Sequence, residues 1–183
     1  MVGLIAPALT LLIAAAVCAY LAPRLADAAR RYGLVDAPDG DLKTQPEPVA
    51  YLGGLAVYLA FLTAIAVAWP GPAAVEGASS DLFVDPQVLA MLLAATLLMG
   101  VGLVDDLSRL TARDKFLGQV LAAAVLVKAG VAIHLVALPQ AGQIALSVLW
   151  LLACANAINL LDVHDGLATT VAAVSALGFV ALG

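Results

Sequence analysis

Asn156, Asn159, Asp162 and Asp165 follow one another at steps of three along the stretch Asn-Ala-Ile-Asn-Leu-Leu-Asp-Val-His-Asp-Gly-Leu. On a helix this spacing makes one slowly drifting stripe. The stripe closes an apolar run long enough to cross a bilayer. Polar groups there are costly unless they face protein, water or a ligand. Asparagine alone can serve as polar glue between packed helices, but two amides and two carboxylates on one stripe exceed that need. A second acidic pair, Asp105-Asp106, ends another apolar run. Carboxylates at a helix C-terminus oppose the macrodipole by about 0.3–1 kcal/mol each, and lysine or arginine would be cheaper. Such a pair implies a metal, a basic ligand or a proton to handle. Lys43 and Lys115 are, as loop lysines, ordinary topology determinants; beside four carboxylates and a metal they become clamps for phosphate.

The elements that must position these groups are membrane spans. The 183 residues are 64% hydrophobic and 11% charged, with mean hydropathy +1.07. A soluble domain is about half apolar and a quarter charged. The composition predicts an all-α polytopic membrane protein, a single transmembrane domain over 1–183. Its net charge of −5, with few and scattered basic residues, argues against nucleic acid as a partner. Cys18 and Cys154 both fall in apolar runs and are expected to be small buried residues rather than a disulfide. His134 and His164 carry no chemical signal of their own.

Apolar runs of roughly 20 residues mark the crossings. The first spans 2–22, a retained helix rather than a signal peptide. A polar, largely irregular loop over about 23–48 follows, with Pro38, Gly40, Pro46 and Pro48. The second covers about 49–69 and ends at Trp69-Pro70-Gly71-Pro72, at an interface that favours tryptophan. The third is 86–104, running into Asp105-Asp106. The fourth begins at Phe116, followed by an interfacial excursion over 128–142. The fifth is about 143–161 and the sixth 166–183. Seven of the eight Lys and Arg residues lie in the loops after spans one and three. By the positive-inside rule that side is the cytoplasm and the N-terminus is outside. The turn after span five falls on the same side. Three polar clusters thus meet on one membrane face, in the inner (cytoplasmic) membrane, next to lipid. Acids, amides and lysines there suit a magnesium-dependent reaction on a phosphorylated, partly lipidic substrate, since hard magnesium prefers carboxylate, carbonyl and phosphate oxygens.

The motifs carry a resemblance. Gly33-Leu-Val-Asp36-Ala-Pro38-Asp-Gly, then Lys43, then Gly53-Gly54-Leu-Ala-Val-Tyr form the first motif. Gly102-Leu-Val-Asp105-Asp106, then Leu-Thr-Ala-Arg-Asp-Lys115-Phe-Leu-Gly-Gln119 form the second, and the Asn156–Asp165 stretch forms the third. Together they resemble the polyprenyl-phosphate N-acetylhexosamine-1-phosphate transferases, glycosyltransferase family 4, the superfamily of phospho-N-acetylmuramoyl-pentapeptide transferase. The resemblance implies that a membrane polyprenyl (undecaprenyl) phosphate attacks the β-phosphate of a UDP-N-acetyl sugar. UMP leaves, in cell-wall or surface-polysaccharide synthesis. Magnesium is the implied ion, with manganese as a substitute, and a homodimer is within the family's expectations. Carried over by motif, Asp105 and Asp106 are catalytic. Lys43, Lys115, Asn156, Asp162 and Asp165 bind substrate, and Asn159 and Asp106 take the metal.

Departures stand at Asp41, Leu42 and Gln45, where the first motif has a basic pair and a histidine. Ala50 replaces a proline and Val163 a glycine. These touch the donor sugar, expected to be UDP-N-acetylglucosamine or a related N-acetylhexosamine, more than the chemistry. Family members have about ten spans of roughly 20 residues each, so 1–183 reads as an N-terminal half. Its absent half would bring a further carboxylate and a histidine-rich loop, and the fragment alone is expected to be inactive. Two other functions fit the same residues: a proton-coupled transporter, which would set its polar groups near mid-membrane, and a non-catalytic lipid-binding relative.

Overall fold

The computed structural model describes residues 2–38, 47–68, 85–162 and 166–182. Within them lie six helices: α1 (Val2–Arg31), α2 (Gly53–Ala68), α3 (Pro86–Ser108), α4 (Ala112–Lys128), α5 (Gln140–Leu161) and α6 (Leu167–Leu182). Two two-residue strands, β1 (Val35–Asp36) and β2 (Val49–Ala50), pair antiparallel with Val35 opposite Ala50 and Asp36 opposite Val49. The molecule is a helical membrane protein. Helices α1, α3 and α5 are long and apolar enough to cross a bilayer, while α2 and α6 are shorter and apolar.

The helices pack in sequence order, α1 on α2, α3 on α4 and α4 on α5. Among the described residues every buried hydrophobic one is an alanine: Ala29, Ala56, Ala60, Ala64, Ala90, Ala94, Ala122 and Ala123. Ala56, Ala60 and Ala64 recur at steps of four and therefore share a face. In lipid, where apolar side chains gain little by leaving a solvent as apolar as themselves, small residues let backbones approach and van der Waals contact holds the pair. The large apolar side chains point outward instead, Leu11, Leu160 and Phe179 each at least 70% exposed. Gly118 makes the same point on α4: an added Cβ would stand 2.5 Å from Val101 Cγ2 of α3.

Several boundaries differ from the sequence expectation: α3 runs on to Ser108 and so contains Asp105-Asp106, α2 begins at Gly53 rather than near 49, and α5 begins at Gln140 rather than near 143. Helix α1 continues through Arg24 to Arg31 rather than ending near residue 22. Residues 23–31, read as loop, keep strong helix formers (Leu25-Ala26-Asp27-Ala28-Ala29) after the apolar pattern stops. Arg24 folds back on the helix, its guanidinium 3.5 Å from the Tyr20 ring centre and donating to the Tyr20 carbonyl. Helix α4 starts at Ala112, not Phe116, because Thr111 caps it by accepting from the Asp114 N–H at 3.2 Å. The strand pair was not foreseen either. The segment expected as an excursion is irregular over 129–139 and is tied to α5. Ser147 Oγ accepts from the Ile133 N–H, and the Gln143 amide donates to the Leu135 and Leu138 carbonyls. Both cysteines are free, but neither is buried. Cys18 is half-exposed, and Cys154 is exposed on the cleft that α5 shares with α3 and α4.

Candidate active site

The end of α3 is built around Asp105. The helix closes on Arg109, a non-glycine residue in the left-handed region (φ 52°, ψ 79°), whose N–H donates to the Asp105 carbonyl at 2.8 Å. The Asp105 side chain then takes the next donors. The Leu110 N–H reaches Oδ1 at 3.1 Å and the Lys115 ammonium reaches Oδ2 at 3.0 Å. Both members of that ion pair are about three-quarters buried. Asp105 thus holds the α3–α4 turn together and aims Lys115. Asp106 has no hydrogen bond or ion pair among the described residues, so its carboxylate is uncommitted. It feels Asp105, Asp36 and Asp162 as like charges and Lys115 as an opposite one.

Asp36 comes from the first motif by way of the strand pair. The Tyr51 hydroxyl donates to Asp36 Oδ1 at 3.1 Å, and the Tyr51 N–H to the Leu34 carbonyl. In the sequence Asp36 is one residue of the first motif with no role of its own, an acid directly after Leu34-Val35.

A cleft of about 610 Å³ opens between α3, α4 and α5. Asp105, Asp106, Lys115, Asn159 and Asp162 stand along it, with Leu98, Val101, Leu151 and Ile158 on its walls. That volume is in the range of small-molecule sites. The second and third motifs therefore share one cavity, charged at one end and apolar along the rest. Asn156 stands aside. Its amide donates to Gln119 Oε1 on α4 and to the Leu152 carbonyl, both at 2.8 Å, and it is not among the residues that line the cleft. Lys43 and Asp165 lie outside the described residues, as do His164 and the departures at Asp41, Leu42, Gln45 and Val163.

No group of three or more His, Cys, Asp or Glu close enough to hold a metal occurs among the described residues. The donors present nonetheless fit a hard cation that brings ligands with its substrate. Asp106 is a free carboxylate, Asn159 an amide on the same cleft, and three other aspartates and one lysine are the charges acting at Asp106.

The site is an acidic cleft between helices of a membrane protein, with one lysine at its charged end and apolar walls beyond it. Residues 88–183 match the model of glycosyl transferase family 4, and the chain belongs to that family. A decaprenyl-phosphate N-acetylglucosaminephosphotransferase of Mycobacterium tuberculosis is 35% identical over 160 residues, 81% of this chain and 38% of that protein. The protein of the same name from Mycobacterium leprae is 34% identical over 177 residues, 90% of this chain and 43% of that one. A Bacillus subtilis relative, assigned as an undecaprenyl-phosphate N-acetylglucosaminyl 1-phosphate transferase, is 28% identical over 146 residues, 75% of this chain and 37% of its own length. The chain thus spans about two fifths of the relatives it matches. No solved structure matches it.

Proposed function

We propose that this chain supplies the acidic half-site of an enzyme that transfers N-acetylglucosamine 1-phosphate from its UDP ester to a membrane polyprenyl phosphate, releasing UMP. The observation that carries this reading is the amphipathic cleft. Asp105, Asp106, Lys115, Asn159 and Asp162 gather at one end and Leu98, Val101, Leu151 and Ile158 run along the walls, which suits a phosphate on a hydrocarbon chain. The names of the relatives carry a polyprenyl phosphate and the transfer of phosphorylated N-acetylglucosamine, which supports the same acceptor and sugar.

In this reaction a lipid phosphate oxygen attacks the β-phosphorus. The bond from that phosphorus to the bridging oxygen breaks, and the electron pair leaves on UMP. Lys115, aimed by Asp105, neutralises charge on the phosphates. Asp106 is the carboxylate left free to take the lipid phosphate's proton and orient its oxygen. Asn159 and Asp106, with oxygens of the substrate diphosphate, would hold magnesium or manganese, which when bound supplies Lewis-acid charge for the leaving group. Asp162 and Asp165 belong to the nucleotide's side of the site, and Lys43 to the phosphates, by their motifs. Orientation follows the basic residues: N-terminus outside and cleft toward the cytoplasm, in the inner membrane.

The test is magnesium-dependent UMP release, and transfer of labelled N-acetylglucosamine to decaprenyl or undecaprenyl phosphate, by membranes carrying the complete protein. Solute flux driven by a pH gradient, with no UMP released, would replace this reading with a transporter.

A further inference from the structure

Two polar side chains are buried among the described residues, Ser147 and Gln119. The Ser147 hydroxyl is used on both sides, accepting from the Ile133 N–H and donating to the Gln143 carbonyl. Gln119 is 93% buried, yet its oxygen takes one bond, from Asn156. Its amide nitrogen has no partner among the described residues.

The direction of that amide is fixed by a short chain of logic. The Leu152 carbonyl can only accept, so the Asn156 atom 2.8 Å away is the NH2 nitrogen. The same nitrogen stands 2.8 Å from Gln119. A reversed Gln119 would set two NH2 groups face to face, so the Gln119 oxygen faces Asn156 and its NH2 faces away. No enclosed side-chain nitrogen or oxygen among the described residues lacks a partner. The Gln119 NH2 therefore opens on space, and Gln119 lines both the cleft and a smaller pocket of about 40 Å³ that shares Leu98, Leu151 and Ala155 with it.

Its level in the cleft identifies what it meets. Gln119 follows Lys115 by one helical turn on the same face of α4, about 6 Å along the axis. Leu98, Leu151 and Ala155 line both spaces with it, while the carboxylates line the cleft alone. It is a donor without charge, at the seam between the charged end and the apolar wall. We infer that Gln119 Nε2 donates to a phosphate or ester oxygen of the lipid-borne phosphate, where head joins chain. Asn156 is the positioning residue that aims it. This rests on the function proposed above and assigns one residue to one of its two substrates.

The experiment uses the complete protein. Gln119→Leu removes both donors. It raises the KM for polyprenyl phosphate about 10- to 100-fold, the loss of a hydrogen bond to a charged acceptor, and leaves the KM for the UDP-sugar unchanged. Asn156→Leu frees the amide and raises the same KM by about 3- to 10-fold, with no further loss when the two are combined. A rise in the UDP-sugar KM alone, or in neither KM, overturns the assignment. If Gln119→Leu does not fold, Gln119→Glu keeps size and the bond from Asn156 but sets an acceptor toward the phosphate, and the same KM must rise. A second readout needs no turnover: decaprenyl phosphate alone raises the melting temperature of the wild type, and this shift is lost in the Gln119 variants. A wild type that releases no UMP sinks the transferase reading; Gln119 variants that keep the lipid-induced shift sink this one.

Discussion

At the scale of the residue, two adjacent aspartates are given different work by their surroundings. Asp105 is bonded to the Leu110 N–H and to Lys115, while Asp106 keeps its carboxylate for the cleft. Replacing each by asparagine should therefore fail differently. Asp106→Asn is expected to melt like the wild type and lose UMP release by about 10²–10⁴-fold, the scale of a proton-handling group. Asp105→Asn is expected to destabilise the protein by about 1–3 kcal/mol, through an orphaned lysine and a weakened turn, with a lower melting temperature as well as a slower reaction. Matched melts and rates for both variants would refute the division of labour. Asp105-Asp106, Lys115, Asn159 and Asp162 were legible in the sequence because charge at the end of an apolar run is conspicuous. Asp36 and Gln119 were not, because their positions depend on partners distant in the chain: Tyr51 across a strand pair, and Asn156 on another helix.

At the scale of the element, the site depends on how closely α3 and α4 lie. Gly118 admits the γ-methyl of Val101, a β-branched side chain with little rotamer freedom in a helix. Gly118→Ala should cost about 1–3 kcal/mol. Adding Val101→Ala should restore most of the melting temperature, whereas a double variant no better than the single would show that the helices do not meet there. The helices themselves were readable from apolar runs, but their ends were not. Apolarity reports the bilayer and helix propensity reports the backbone, and in α1 the two part company at Arg24. A helix of 30 residues is about 45 Å long against a hydrocarbon core of about 30 Å, so its last turns extend beyond the apolar layer. The strand pair escaped notice because two residues per strand carry no periodicity.

At the scale of the whole molecule, an alanine core under a coat of exposed leucine, valine and phenylalanine is stable only in lipid or detergent. The protein should stay in the membrane pellet through alkaline carbonate and high salt and leave it only with detergent. With Cys18 and Cys154 replaced by serine, Ser108→Cys should react with a membrane-impermeant maleimide from the cytoplasmic side alone; labelling from outside would invert the orientation proposed here. The left-handed backbone at Arg109 bears on timing. Glycine would adopt that conformation freely, whereas a side chain there costs about 1–2 kcal/mol. The chain nevertheless carries a guanidinium three residues past its acidic pair. In the proposed reaction a cation so placed would draw the nucleotide anion toward a cleft whose own carboxylates repel it, and such long-range attraction acts on encounter rate and weakens with ionic strength. Arg109→Gly should accordingly raise the melting temperature slightly while slowing nucleotide-sugar association at low salt, and the difference from wild type should fade as salt is added.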